Sequence, residues 1–426
     1  MTQSQQVALE PIWPQVPDSQ FETLAARFRP IFAKIRAGAV ERDRNRILPV
    51  EELQWLRAEK FGAIRVPREH GGYGASLVTL FALLIELAEA DSNLAQILRG
   101  HFGFIETLLP DPTSPWSARW LALAGAGDWF SPAHTEPGDS RHSSFATVVT
   151  DGPEGPEING RKFYTTGAYY ADWIGVTAGR NDAWVTVVVS TKAKGLTIID
   201  DWDGFGQALT ASGTTIFDHV KLDEADFVSA LTQAEHLSSV YQLTHLATLS
   251  GIGRAAASET ATYIAERRRT YAHGNADTAR EDPQILQVVG SVFAKVYGAN
   301  VATITATTTI ERFFEKLLKG EATEDDRVRL DVEVFQAQVA TATQILEATT
   351  LLFGGLGASA LSKSRGLDRL WRNARAISSH NPLIYRERQI GDYVVNGNGP
   401  QNVWVAGAAR NTQAAEERQL AKADAA

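Results

Sequence analysis

Apolar residues change their period twice along the chain, and that switch restricts the fold more than any single motif. From about 18 to 125 they recur at spacings of three and four. Leu24, Phe28, Ile31 and Ile35 form one stripe, and Leu53, Leu56 and Phe61 continue it. The segment VPREHGGYGAS interrupts the pattern: Gly71, Gly72 and Gly74 supply flexible backbone, and Ser76 is placed to cap a helix from about Leu77 to Glu89. From about 126 to 235 the runs are short and β-branched. Phe145–Thr150, Ile174–Ala178, Trp184–Ser190 and Leu196–Ile199 are separated by turn clusters such as Asp151-Gly152-Pro153. This spacing leaves no room for crossover helices and predicts a compact barrel or sandwich. From about 236 to 405 the helical period returns. Ile285, Val288, Val289, Val292 and Val296 form one stripe; Val332, Phe335, Val339 and Leu346 form another, as in an antiparallel helix bundle. Residues 406–426 are rich in Ala, Gln and Glu and read as a loose helix or frayed tail. The expected class is α+β, with an N-terminal helical domain, a central β-domain and a C-terminal helix bundle.

Composition closes off several chemistries. The 426 residues include no Cys, which excludes a disulfide scaffold, a thiolate zinc site, an iron–sulfur cluster and a cysteine nucleophile. A net charge of −9 argues against nucleic-acid binding. The 18 Phe, 10 Trp and 10 Tyr supply an ample core. Met1 to Ser19 is polar and holds Pro11, Pro14 and Pro17, unlike a secretory leader. The apolar window Leu77–Leu87 is broken by Glu86 and is short of the ~20 residues that span a bilayer. The expectation is a cytoplasmic protein with no membrane partner.

Most short motifs are missing. There is no G-x-S-x-G elbow and no Walker loop. Gly251-Ile252-Gly253-Arg254-Ala255-Ala256 loosely matches a dinucleotide fingerprint, but it lies inside a helical pattern with no strand before it. Its glycines suit close helix packing better. The nine His residues show no metal-ligand spacing, and His134 and His142 read as surface or loop residues.

Four ordered elements carry a resemblance. VPREHGGYG is followed by Trp129-Phe130-Ser131-Pro132-Ala133-His134-Thr135-Glu136-Pro137-Gly138-Asp139-Ser140, then by Gly160-Arg161-Lys162-Phe163-Tyr164-Thr165-Thr166-Gly167. Last come Gly354-Gly355-Leu356-Gly357 and Leu370-Trp371-Arg372-Asn373-Ala374. Together they resemble the acyl-CoA dehydrogenase superfamily over about residues 20 to 395. The second and third are similar to its flavin-facing segments. A flavin is a flat apolar body with polar edges, and a wall of Trp129, Ser131, Thr135, Tyr164, Thr165 and Thr166 suits it.

The C-terminal segment favours one branch of that superfamily. Where its dehydrogenases carry a catalytic Glu, this chain reads Ser378-Ser379-His380-Asn381-Pro382, and the Asn381 amide cannot act as that base. Asp201-Trp202, and Leu367-Asp368-Arg369-Leu370-Trp371-Arg372-Asn373-Ala374-Arg375 followed by His380, resemble the reduced-flavin-dependent monooxygenases of the dibenzothiophene monooxygenase type. The resemblance implies a catalytic His380 with Asn381 beside it. It implies cofactor contacts at Trp202, Thr166, Arg269 and Gly355. Gln96, Gly100 and Ala133 fall where that branch has a pocket His, Tyr and Asn, and His101 stands close enough to substitute in part. Lys363, Arg365, Arg369, Arg372 and Arg375 form a basic run suited equally to a flavin phosphate or to ion pairs across a subunit interface.

The expectation is a two-component monooxygenase. It would use reduced FMN, with FAD possible, and O2 to oxygenate a small sulfur or nitrogen compound through a flavin hydroperoxide. An NAD(P)H-dependent flavin reductase would be its partner, and the assembly a homotetramer. An acyl-CoA dehydrogenase-like oxidoreductase with a non-standard base, and a non-catalytic flavin-binding protein, are the alternatives.

Overall fold

The computed structural model describes residues 11–136, 146–181, 183–227 and 235–400. Five helices come first: α1 (Phe21–Asn45), α2 (Val50–Ala58), α3 (Leu77–Ile97), α4 (Arg99–Leu108) and α5 (Pro115–Ala126). Seven strands follow: β1 (Phe130–Ala133), β2 (Val148–Gly152), β3 (Gly155–Lys162), β4 (Trp173–Arg180), β5 (Ala183–Ser190), β6 (Leu196–Ile199) and β7 (Thr214–Lys221). Then come α6 (Leu237–Glu266), α7 (Pro283–Leu318), α8 (Glu324–Leu356), α9 (Asp368–His380) and α10 (Leu383–Asn396). The α+β expectation holds. The expected tail at 406–426, Phe145, His142 and the stretch Pro137–Ser140 lie outside the described residues.

The strands form one sheet in the order β1-β4-β2-β3-β7-β6, with β5 also paired to β4. β1 runs parallel to β4 and the β4–β5 and β6–β7 pairs are antiparallel. β1 and β3 lack β-branched runs, so their strand character comes from ladder partners more than from composition. Ile158, Ile174, Val176, Val187 and Phe217 fill the core of this layer.

The helices behave as their stripes predict. Phe28, Phe32 and Ile35 bury α1 against α3 and the Phe61 turn. Ser76 caps α3 by accepting from the Thr79 N–H at 3.0 Å. Gly251 and Gly253 let α6 approach its neighbours: a Cβ on Gly251 would lie 2.5 Å from Ala88 Cβ, and one on Gly253 would lie 2.4 Å from Ile345 Cδ1. Helix α7 is, among the described residues, the one helix long and apolar enough to cross a membrane. Here its Val292, Val296 and Ile304 are buried in the molecule, and a polar seam runs through the helices around it. Ser250 meets Thr303 at 2.9 Å and Arg254 Nε donates to Asn300 Oδ1 at 2.7 Å.

α3 is not one straight helix. At Asp91 the backbone leaves the helical region, with φ −159° and ψ 110°. Asp91 is buried, and Arg42 from α1 donates to its Oδ2 at 2.9 Å. The second Arg42 Nη reaches Glu52 at 2.8 Å. Asp91 Oδ1 accepts from the Asn93 N–H at 3.1 Å, restarting the helix. The break also exposes side chains for the joint between layers. Ser92 Oγ accepts from Gln207 and from Asn373, and Asn93 Oδ1 accepts from the Leu209 N–H at 3.2 Å. Asn373 Oδ1 in turn accepts from the Gln207 N–H at 2.7 Å. Helical domain, β-layer and bundle thus meet in one hydrogen-bonded knot.

Removing one partner of a buried ion pair leaves the other charge stranded, at about 3–5 kcal/mol. Arg42→Ala should therefore lower unfolding free energy by about that amount in urea titration. A loss below about 1 kcal/mol would show that the break in α3 is held by its own turn instead.

Candidate functional site

The β-layer presents one wall. Past β3 the chain turns at Tyr164, which has φ 61°, a left-handed conformation that costs a non-glycine residue about 1–3 kcal/mol. The turn swings the Tyr164 ring outward, where it is 53% exposed and meets Trp202 edge to face at 6.0 Å. Trp202 Nε1–H donates to the Gly206 carbonyl at 3.3 Å, and the Asp201 carboxylate before it accepts from Thr214. Thr166 Oγ1 and Ser212 Oγ lie 2.7 Å apart on the same wall. Tyr169 and Phe205 add further exposed aromatic area, and Phe205 stacks on Trp371 at 6.1 Å.

Helices α4, α6 and α9 bring together a second group of polar side chains. His380 ends α9 with its ring still reached by solvent. The ring stands in a recess beside the buried His245 of α6, with ring centres 4.4 Å apart. Enclosure by protein, then the Arg99 charge, push the His380 pKa down to about 3. The same two causes hold His245 well below its ordinary value. Gln96 lies within 3.4 Å of His245 Nε2. Asn381 Nδ2 donates to Gln242 Oε1 at 2.8 Å and its carbonyl accepts from Gln338 at 3.1 Å. Asn381 also hydrogen-bonds His380 through its side chain. Arg99, the first residue of α4, donates from Nε to the Tyr241 carbonyl and lies 4.6 Å over the Tyr241 ring.

Several sequence expectations need correction. His101 is fully interior: its Nε2 meets the Gly62 carbonyl at 2.7 Å and its Nδ1 accepts from the Phe130 N–H at 3.3 Å. Both nitrogens are used and burial pushes its pKa down to about 4, so it is a core residue that cannot substitute for a pocket histidine. Trp129 is buried beneath Arg57, whose guanidinium lies 4.5 Å over its ring, and does not face the wall. Thr165 is buried and spends its hydroxyl on Gly213 and Thr215. Ala133 faces the core of the β-layer. At Gly100 a Cβ would come within 2.1 Å of Pro132, so this glycine is a close approach to β1. Gly355 packs on Val288 of α7. Two members of the basic run are paired within the chain: Arg369 binds Glu259, and Arg372 reaches Asp43 at 2.5 Å and Asp368 at 2.8 Å. His134 is half-buried and meets Thr177 Oγ1 at 2.6 Å.

Other expected positions remain open to a ligand. Ser131 Oγ is buried without a hydrogen-bond partner among the described residues. The Thr135 side chain and Arg269 are exposed, and the Arg269 side chain has no ion-pair partner among the described residues. Tyr164, Trp202, Thr166 and Ser212 offer an apolar face with a hydroxyl edge, which fits a flavin ring. Sequence reasoning missed Arg99, Tyr241, Gln242, His245 and Ser212. One signal existed for Arg99: it is the one charge between Leu94 and Gly100.

Known proteins share this architecture. A family model described as acyl-CoA dehydrogenase, C-terminal domain, matches residues 243–383. Dibenzothiophene monooxygenase of Rhodococcus erythropolis is 28% identical over 392 residues, spanning 87% of this chain and 93% of its own. The probable FMNH2-dependent monooxygenase SfnC of Pseudomonas putida is 27% identical over 374 residues, spanning 85% and 92%. The structure of methanesulfinate monooxygenase MsuC from Pseudomonas fluorescens aligns with a TM-score of 0.80 at 25% identity, over 88% of this chain and 97% of that one. Fold and near full-length similarity agree: residues 243–383 match the acyl-CoA dehydrogenase C-terminal domain family, and the whole chain is similar to flavin-dependent monooxygenases.

Proposed function

We propose that the protein is the oxygenase of a two-component system, taking reduced FMN from a separate NAD(P)H-dependent reductase and oxygenating a small organic substrate with O2. The carrying observation is the chemistry around His380. His380 and His245 stand there as neutral imidazoles, Asn381 takes the place of a proton-abstracting carboxylate, and no acidic side chain is among the charges that act on either ring. Proton removal next to a thioester has no base here, which disfavours a dehydrogenase. Bound reduced FMN would supply the electrons and activate oxygen. Tyr164, Trp202, Thr166 and Ser212 would hold its ring, Ser131 and Thr135 would lie near it, and Arg269 would meet its phosphate. His380 would hold a proton at a ring nitrogen, oriented by Asn381, while the aromatic wall keeps water out. The relatives' printed names, a dibenzothiophene, an FMNH2-dependent and a methanesulfinate monooxygenase, support this reading. A cytoplasmic location goes with it.

The two-component reading is tested by mixing the pure protein with NADH or NADPH. No oxidation of the nicotinamide should occur until a flavin reductase and FMN are added. Direct oxidation without the reductase would overturn it.

His380→Ala should speed peroxide release from reduced FMN and O2 by about 10²-fold, the usual scale of a positioned proton donor. Flavin binding, read by fluorescence quenching, should hold in that variant and fall about tenfold or more in Arg269→Ala. With the folded pKa at about 3, the imidazole carries no charge near neutrality. The slow peroxide release of the wild type should therefore persist from about pH 8 to pH 5.5, with no inflection at the ordinary histidine value of about 6.5. An inflection there, or an unchanged rate in the variant, would remove His380 from this role.

A homotetramer completes the proposal. On α7, Leu286, Gly290, Ala294, Tyr297 and Val301 recur on one exposed face at helical spacing. An apolar face of this length on the bundle suits a symmetric contact between copies. Light scattering at micromolar concentration should give a tetramer, and Tyr297→Glu a smaller species. A wild-type monomer would refute the arrangement.

A further inference from the structure

Arg99 has an unusual balance of charge. Its guanidinium is enclosed by protein, and burial alone is the main cause that pushes its pKa down to about 10. Among the described residues no carboxylate pairs with it, and its one hydrogen bond leaves from Nε. Both Nη groups have no partner among the described residues, yet neither is sealed from solvent. Other enclosed arginines are treated differently. Arg42, Arg65, Arg327 and Arg369 each bind a carboxylate, and Arg254, held by Asn300, feels Glu89. A charge left enclosed without a counterion is costly unless something else supplies one.

The surroundings add a second, independent sign. The Arg99 charge acts on His134, His245 and His380, so the three imidazoles stand about it. His245 is buried, and among the described residues its Nδ1 and the Oε1 of the buried Gln96 beside it have no partner. A neutral His245 with its proton on Nδ1 is a donor without an acceptor. The recess therefore offers a fixed positive charge and a spare neutral donor, with no anion of its own among the described residues.

We propose that this recess takes a substrate carrying an oxyanion head, a sulfinate, sulfonate or carboxylate, which accepts from Arg99 Nη and from His245. This rests on the oxygenase reading for the word substrate, but the binding itself does not. A planar guanidinium matches a two-oxygen anion through parallel hydrogen bonds. A neutral heterocycle of similar size would leave Arg99 enclosed and unpaired. Stacking on Tyr241 fixes the plane of the guanidinium and lowers the cost of ordering it on binding.

The test uses isosteric pairs and the full chain, free of flavin. Methanesulfinate is compared with dimethyl sulfoxide, and benzoate with benzamide, by titration calorimetry. At least one anion should bind, with its neutral partner about tenfold or more weaker. Arg99→Gln should lose that preference by about ten- to a hundredfold, and Arg99→Lys should keep part of it. Circular dichroism checks that both variants fold; should Arg99→Gln unfold, the Lys variant and the wild-type pairs decide. FMN should leave anion binding intact. Equal binding of neutral and anionic partners, no binding of either anion, unchanged affinity in Arg99→Gln, or displacement of the anion by FMN would each overturn the proposal. None of these needs oxygen or a reductase, so failure here is distinct from failure of the oxygenase reading.

Discussion

The Arg42–Asp91 pair fixes where α3 breaks, and the rest of the molecule is arranged around that break. An unbroken α3 would keep Ser92 and Asn93 in helical register. Broken, it releases them to bind Gln207, Leu209 and Asn373, which belong to the β-layer and to α9. The same break redirects the last turns of α3, which carry Gln96 toward His245 and lead into Arg99. One buried pair between the first and third helices thus sets the relation of three layers. It also sets the position of two residues in the recess.

The site divides into two chemistries. The β-side wall is aromatic and hydroxylic, with exposed Tyr164 and half-buried Trp202. The helical side is nitrogen-rich: the neutral imidazoles of His245 and His380, the amides of Gln96, Gln242 and Asn381, and the Arg99 guanidinium. Among the described residues the helical side supplies no carboxylate, and the Asp201 carboxylate of the β-side is taken up by Thr214. An environment of this kind can bind flat apolar and anionic groups and can hold protons, but it has no strong base.

Much of the architecture could be read in the sequence because burial imposes period. The stripes on α1, α7 and α8 and the runs of β4 to β6 reappear where expected. β1 and β3 could not be read from composition, since Phe130–Ala133 and Gly155–Lys162 take their strand form from paired neighbours rather than from their own residues, whereas the run Thr214-Thr215-Ile216 of β7 was passed over. The candidate site was expected at motifs, and of these Tyr164, Thr166, Trp202 and His380 are at least partly exposed. It was misread where position in a motif said nothing about side-chain direction. His101 and Trp129 point into the core, and Thr165 alternates inward between two outward neighbours. Arg99 and His245 escaped notice because each is a single polar residue in an apolar helix, and only the fold brings them together.

The left-handed turn at Tyr164 has a consequence for anyone who would engineer this protein. Ranked by stability alone, glycine or asparagine is the better residue at that φ, and a stabilisation campaign would select it. That choice would relax the backbone and erase the ring that faces Trp202. Under the proposed function thermal screening would thus remove a flavin-holding ring first, and designs built on this scaffold should hold position 164 fixed.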